Sequence, residues 1–132
     1  MTEKNVAISW LRAEAIAVFA TLVAVYFLMG GSWWLFLVLF FLPDLTMLGY
    51  LAGPRAGARI YNLGHTYVGP VLLAAGGAVL LASAPAPFSF RDVAVFPTIW
   101  AAHIAFDRML GYGLKSPASF KSTHLGLIGR VS

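Results

Sequence analysis

Apolar residues run almost without interruption from about Ser9 to Met29, and again from Trp33 to about Leu51. Two further runs span about 56–82 and 92–112. Each run is about 20 residues or longer, the length at which a helix crosses the hydrocarbon core of a bilayer. The pattern predicts an all-α integral membrane bundle of four transmembrane helices in a single domain, 1–132, with a polar, interfacial tail over 113–132. Arg12 and Glu14 sit inside the first run, and Gly30-Gly31-Ser32 leads at once into the second, so the first two runs read as a helical hairpin instead of a cleaved signal. Pro43-Asp44 interrupts the second run, where proline removes a backbone donor and bends a helix. Gly53-Pro54-Arg55 marks a turn, Pro70 allows a bend in the third run, and 83–87 reads as a loop. Gly64, Gly69, Gly76 and Gly77 would let neighbouring helices approach closely, and Asp92 suits the first turn of the fourth helix.

Composition agrees: 60% of residues are hydrophobic and 11% charged, with a mean hydropathy of +0.81, too apolar for a soluble domain to hide. There is no cysteine, which excludes disulfides, zinc–thiolate sites and iron–sulfur ligation. The net charge of +4 does not point to nucleic acid, because the basic residues lie at the ends of the runs and face lipid headgroups there. With four spans, one side collects Lys4, Arg12, Arg55, Arg59, Lys115, Lys121 and Arg130, and the other only Arg91. By the positive-inside rule both termini are cytoplasmic, which places a multi-pass protein in the cell inner (plasma) membrane. The small-residue faces permit a homo-oligomer or a partner membrane protein.

The candidate chemistry lies in polar residues within the apolar runs: Glu14, Asp44, Asn62, His65, His103, Asp107 and Arg108. Ionisable groups at depth cost several kcal/mol unless paired, hydrated or bound to a metal. At about 1.5 Å of rise per residue, Glu14 and Asp107 lie roughly 8 Å from the basic end of their helices, and Asp44, His65 and His103 roughly 12 to 14 Å. The acids and imidazoles therefore share one layer. His103 and Asp107 are four residues apart on one helical face, and Arg59, Asn62, His65 and Thr66 form a stripe on another. Imidazole plus carboxylate is the ligand set of zinc, iron or manganese, so Asp44, His65, His103 and Asp107 are candidate ligands of a divalent metal. Glu14 is a candidate fifth ligand or general base, Arg108 or Arg59 a candidate anion-binding group, and Asn62 a hydrogen-bonding support. A purely structural polar network among the same groups is the alternative. Tyr61 and Tyr67 read as packing residues, and His124 as a solvated tail residue unless the tail folds back.

The segments Pro43-Asp44-Leu45-Thr46-Met47-Leu48-Gly49-Tyr50-Leu51, Tyr61-Asn62-Leu63-Gly64-His65-Thr66-Tyr67 and His103-Ile104-Ala105-Phe106-Asp107-Arg108 resemble a bacterial family of small integral membrane proteins known only as a domain of unknown function. The resemblance covers nearly the whole chain and implies no reaction. More loosely, the scatter of His and Asp over short membrane helices is similar to inner-membrane metal-dependent hydrolases, without the early histidine of that group. The leading expectation is a metal-dependent hydrolase of a lipid-borne or amphiphilic ester or phosphoester. Two alternatives stay open: a non-enzymatic complex subunit or ion- and proton-handling protein, and a di-metal redox protein.

Overall fold

The computed structural model describes residues 3–83 and 87–128. The centre of the expected loop at 83–87, together with Arg130 and the chain end, lies outside the described residues, as does the side chain of Lys4. The chain is mostly helical, and helices form in all four apolar runs with altered boundaries. Helix α1 (Glu3–Leu28) starts six residues before the apolar run, since its exposed first turns need no hydrocarbon around them. Gly30 adopts φ 75°, and the Gly31 amide donates to the Tyr26 carbonyl, closing the hairpin. Ser32 then caps α2 (Trp33–Phe40) by accepting from the Leu35 amide.

The second run is not one kinked α-helix. After α2 it continues as a 3₁₀ helix over Leu42–Ala52. Pro43 supplies no donor, Asp44 donates to the carbonyl three residues back at Phe41, and the Thr46 hydroxyl donates to the Pro43 carbonyl. These local bonds favour the tighter winding, whose long runs are uncommon and often accompany functional sites. The third run is likewise broken, into α3 (Pro54–Gly64) and α4 (Val68–Ser83), bent by 41° across the break at His65 to Tyr67. The bend falls before Pro70, where the carbonyls of Gly64 and His65 are taken by Trp100 Nε1 and Arg108 Nη2 instead of by helical amides.

Helix α5 (Phe90–Leu110) opens with a reciprocal capping pair, Ser89 and Asp92, as expected of an acid at that position. It packs against α1, α2, α4 and the 3₁₀ helix, and its Ile99 and Ala102–Ala105 stretch is buried. Asn5–Leu28 and Trp33–Ala52 are each long and apolar enough to cross a membrane, and the bent pair α3 and α4 passes the same test only if it is counted as one broken span. Of the four expected spans, α5 is the one outside this set: it carries Arg91, Asp92, His103, Asp107 and Arg108, and the bundle, not lipid, surrounds much of it.

The described part of the polar tail is folded. Lys115–Ser116 (β1), Ser119–Thr123 (β2) and Gly126–Leu127 (β3) pair antiparallel in the order β1-β2-β3 and fold back on α3. In the bundle core, Tyr26, Phe36, Phe40, Ile99 and Ala102 form one cluster, with Phe36 and Phe40 stacked at 5.3 Å. A Cβ at Gly31 would run into the fully buried Tyr26 ring, whereas one at Gly76 would meet nothing within 4 Å. Gly31→Ala is therefore expected to lower stability by about 1–3 kcal/mol, and Gly76→Ala to change it by less than about 1 kcal/mol. Thermal unfolding of the two variants in detergent checks the contrast, and equal midpoints would contradict this packing.

Candidate metal centre

Three breaks in regular structure bring the site together. The 3₁₀ helix turns Asp44 toward α5, the α3 terminus presents His65, and the buried middle of α5 presents His103. Their donor atoms nearly touch: His65 Nε2 and His103 Nε2 are 3.1 Å apart, and Asp44 Oδ1 lies 3.5 Å from the first and 3.4 Å from the second. Four donors arranged tetrahedrally about a metal at 2.0–2.1 Å lie about 3.3–3.4 Å from one another. The separations among these three atoms match an edge set of that tetrahedron. Asp107 Oδ2 approaches both imidazoles, at 3.5 Å from His65 and 3.9 Å from His103. The compact group with all ligand atoms within 4.8 Å of one another is Asp44, His65 and His103, so Asp107 flanks it.

The orientation of His65 is fixed by chemistry as well as packing. Its Nδ1 lies 2.9 Å from the Tyr61 carbonyl, which can only accept, so Nδ1 carries the proton and Nε2 aims a lone pair at the cluster. Backbone-anchored imidazoles of this kind are the usual support of histidine ligands. Tyr61 stacks on the His65 ring at 3.7 Å and 10°, and its hydroxyl donates to Asp107 Oδ2. Phe40 meets His103 edge-on at 5.1 Å and walls the cluster on the apolar side. His65 and His103 are both buried, whereas the Asp44 side chain is 40% exposed and gives the cluster its opening.

The family model for a domain of unknown function (DUF4260) matches residues 8–128. The chain belongs to that family. No curated protein and no solved structure matches it. Because the match spans the 3₁₀ helix, the bent pair and α5, the Asp44, His65, His103 and Asp107 constellation lies wholly inside the DUF4260 domain.

The other sequence-derived candidates of this DUF4260 domain are placed as follows. Arg108 donates through Nη2 to the His65 carbonyl and through Nη1 to the Tyr112 carbonyl, and among the described residues it forms no ion pair with Asp107. Asn62 clamps the tail, donating to the Lys115 carbonyl and accepting from the Lys115 amide, and does not bond the ligands themselves. Arg59 is exposed on α3 without a hydrogen bond or ion pair among the described residues. Glu14 is exposed on α1 and joined to none of the four by a hydrogen bond or ion pair; it lines a neighbouring cavity.

Tyr61, read from sequence as packing, contacts both His65 and Asp107; its spacing four residues before His65 is the signal that could have marked it. Lys115 was legible only as a basic residue. It is buried in the tail, with Nζ 4.0 Å from the Phe120 ring and 5.2 Å from the Tyr61 ring, and burial pushes its pKa down against the raising influence of Asp107. His124 does fold back: its Nδ1 accepts from the Leu114 amide, and burial together with Arg108 holds its pKa low. The two Asn62 bonds fasten the tail over Tyr61, and each amide bond contributes about 1 kcal/mol. Asn62→Ala is expected to speed tryptic cleavage at Lys121 by roughly tenfold while leaving helix content unchanged. Unchanged cleavage would show that the tail is held by other contacts.

Proposed function

We propose that this DUF4260 protein holds one divalent cation, zinc, iron or manganese, between Asp44, His65 and His103, and that it hydrolyses an ester or phosphoester of a lipid-borne or amphiphilic substrate. The observation carrying this reading is the meeting of two imidazole Nε2 atoms and a carboxylate oxygen at tetrahedral-edge spacing, with His65 already locked in the ligand tautomer by the Tyr61 carbonyl. A divalent cation in that position would polarise a carbonyl or phosphoryl oxygen and lower the pKa of a coordinated water.

The protein's own groups supply the rest. Asp107 lies at the edge of the triad, with one oxygen receiving the Tyr61 hydroxyl, and is the carboxylate positioned to accept a proton beside the reacting centre. Arg108 is the adjacent cation for a substrate anion, and its two backbone bonds hold the guanidinium in place. Phe40 and the aromatic core keep water from the far side.

We further infer a four-span arrangement in which α5, about 31 Å long at 1.5 Å per residue, crosses the membrane inside the bundle. The charge asymmetry of the ends supports cytoplasmic termini in the inner membrane and a site opening toward the cytoplasmic leaflet.

A second reading, a metal-free proton or hydrogen-bond network in a non-enzymatic membrane subunit, is favoured by the 3.1 Å approach of the two Nε2 atoms, which is itself a hydrogen-bond distance. A proton on His103 Nε2, donated to the lone pair of His65 Nε2, would join the two rings without a cation. Elemental analysis of purified protein separates the two. About one equivalent of zinc, iron or manganese is expected, falling at least tenfold in His65→Ala and in His103→Ala. Folded wild-type protein free of metal, with both variants still folded, would overturn the metal reading in favour of the network.

A further inference from the structure

Glu14 and Arg108 line one cavity without touching each other. Its volume is about 220 Å³, it lies between α1, the α3–α4 break and the folded-back tail, and Tyr67 and His124 complete its polar wall. Leu11 and Val18 of α1 form an apolar edge and are 48% and 40% exposed on the outer surface of that helix.

The polar groups are unspent. Arg108 uses one N–H of each terminal nitrogen on a backbone carbonyl and keeps further donors. Among the described residues Glu14 has no hydrogen bond or ion pair, and the Tyr67 hydroxyl has no hydrogen bond. A carboxylate and a guanidinium that share a cavity yet stay unpaired make a two-pole site, one pole for an ammonium and the other for an anion. The volume is below the roughly 300–1,000 Å³ that encloses a drug-sized ligand, which suits a headgroup whose chains remain outside along Leu11 and Val18.

We propose that this cavity binds the headgroup of an aminophospholipid, with its phosphate on Arg108 and Tyr67 and its primary ammonium on Glu14. A primary ammonium is favoured over a quaternary one because the Glu14 carboxylate accepts N–H bonds, and the cavity has one aromatic ring, not the several that enclose a quaternary nitrogen. Arg108 also donates to the backbone carbonyl of His65, which ties the cavity to the chain segment that carries the candidate ligand, although none of Asp44, His65, His103 and Asp107 lines the cavity. As an assignment of substrate class this rests on the hydrolase reading; as a binding site it stands without a cation. Glu14 thereby takes a substrate-binding role and not that of a general base.

The test is binding of short-chain phosphatidylethanolamine, phosphatidylcholine, phosphatidylglycerol and chain-free phosphoethanolamine to the full-length protein in detergent, read by native mass spectrometry with metal content measured on the same samples. Phosphatidylethanolamine is expected to bind roughly tenfold tighter than the other two lipids, and Glu14→Gln to erase that preference. Tyr67→Phe, which breaks no hydrogen bond among the described residues, is expected to weaken all three lipids several-fold. Equal affinity for phosphatidylethanolamine and phosphatidylglycerol, or a preference that survives Glu14→Gln, would overturn the assignment. Phosphoethanolamine binding as tightly as the lipid would overturn the amphiphile in favour of a soluble ligand. Lipid preference without bound metal counts against the metal reading alone, and bound metal without lipid preference counts against this inference alone.

Discussion

Two imidazole nitrogens 3.1 Å apart, one of them bound to present a lone pair, are the constraint around which the bundle is organised. Both imidazoles are buried away from bulk water, and the carboxylate beside them that is most enclosed, Asp107, would be costly to leave alone and charged. A divalent cation at the point where the imidazoles, Asp44 and Asp107 converge would balance both carboxylate charges and take up both imidazole lone pairs, whereas a shared proton would balance one of the two charges. Separate local solutions would need separate partners, and Arg108, the nearest fixed cation in sequence, has its nitrogens directed at the backbone carbonyls of His65 and Tyr112.

The irregular backbone follows from that demand. Had the second run stayed α-helical through Pro43, Asp44 would lie in another direction and at a different height, because a 3₁₀ helix turns by three residues and rises about 2 Å per residue. The α3–α4 break frees the carbonyls of Gly64 and His65, which are then satisfied from α5 by Trp100 and Arg108. Non-helical backbone at membrane depth is tolerated only where protein satisfies it, and here the satisfying side chains of Trp100 and Arg108 lie on the same helix as His103 and Asp107. The tail adds a third layer: Asn62 pins Lys115, and Lys115 lies over the Tyr61 ring that stacks on His65.

Hydropathy and charge made the apolar helices legible, and the depth of Asp44, His65, His103 and Asp107 made their convergence legible, since helices of alternating direction have few ways to bring such groups to one layer. Boundaries were less legible where a proline acts through competing local bonds: Pro43 reads as a kink, and only the Thr46 hydroxyl and the Asp44 amide tip it into a long 3₁₀ helix. The role of Tyr61 depends on its carbonyl as much as its side chain, and a carbonyl leaves no trace in residue type. The tail misleads for a different reason. Its strands are two to five residues long, too short for an alternating pattern to register. Glu14 shares the layer by depth but not by direction, because depth along a helix carries no information about the face a side chain occupies.

The central claim is that Asp44, His65 and His103 form one cation site. X-ray absorption at the zinc edge of zinc-loaded protein in lipid nanodiscs reads that coordination shell directly. The account predicts nitrogen and oxygen neighbours at about 2.0–2.1 Å with outer-shell scattering from two imidazole rings, one ring being lost in His103→Ala. A shell of water oxygens without imidazole scattering, unchanged in the variant, would contradict it.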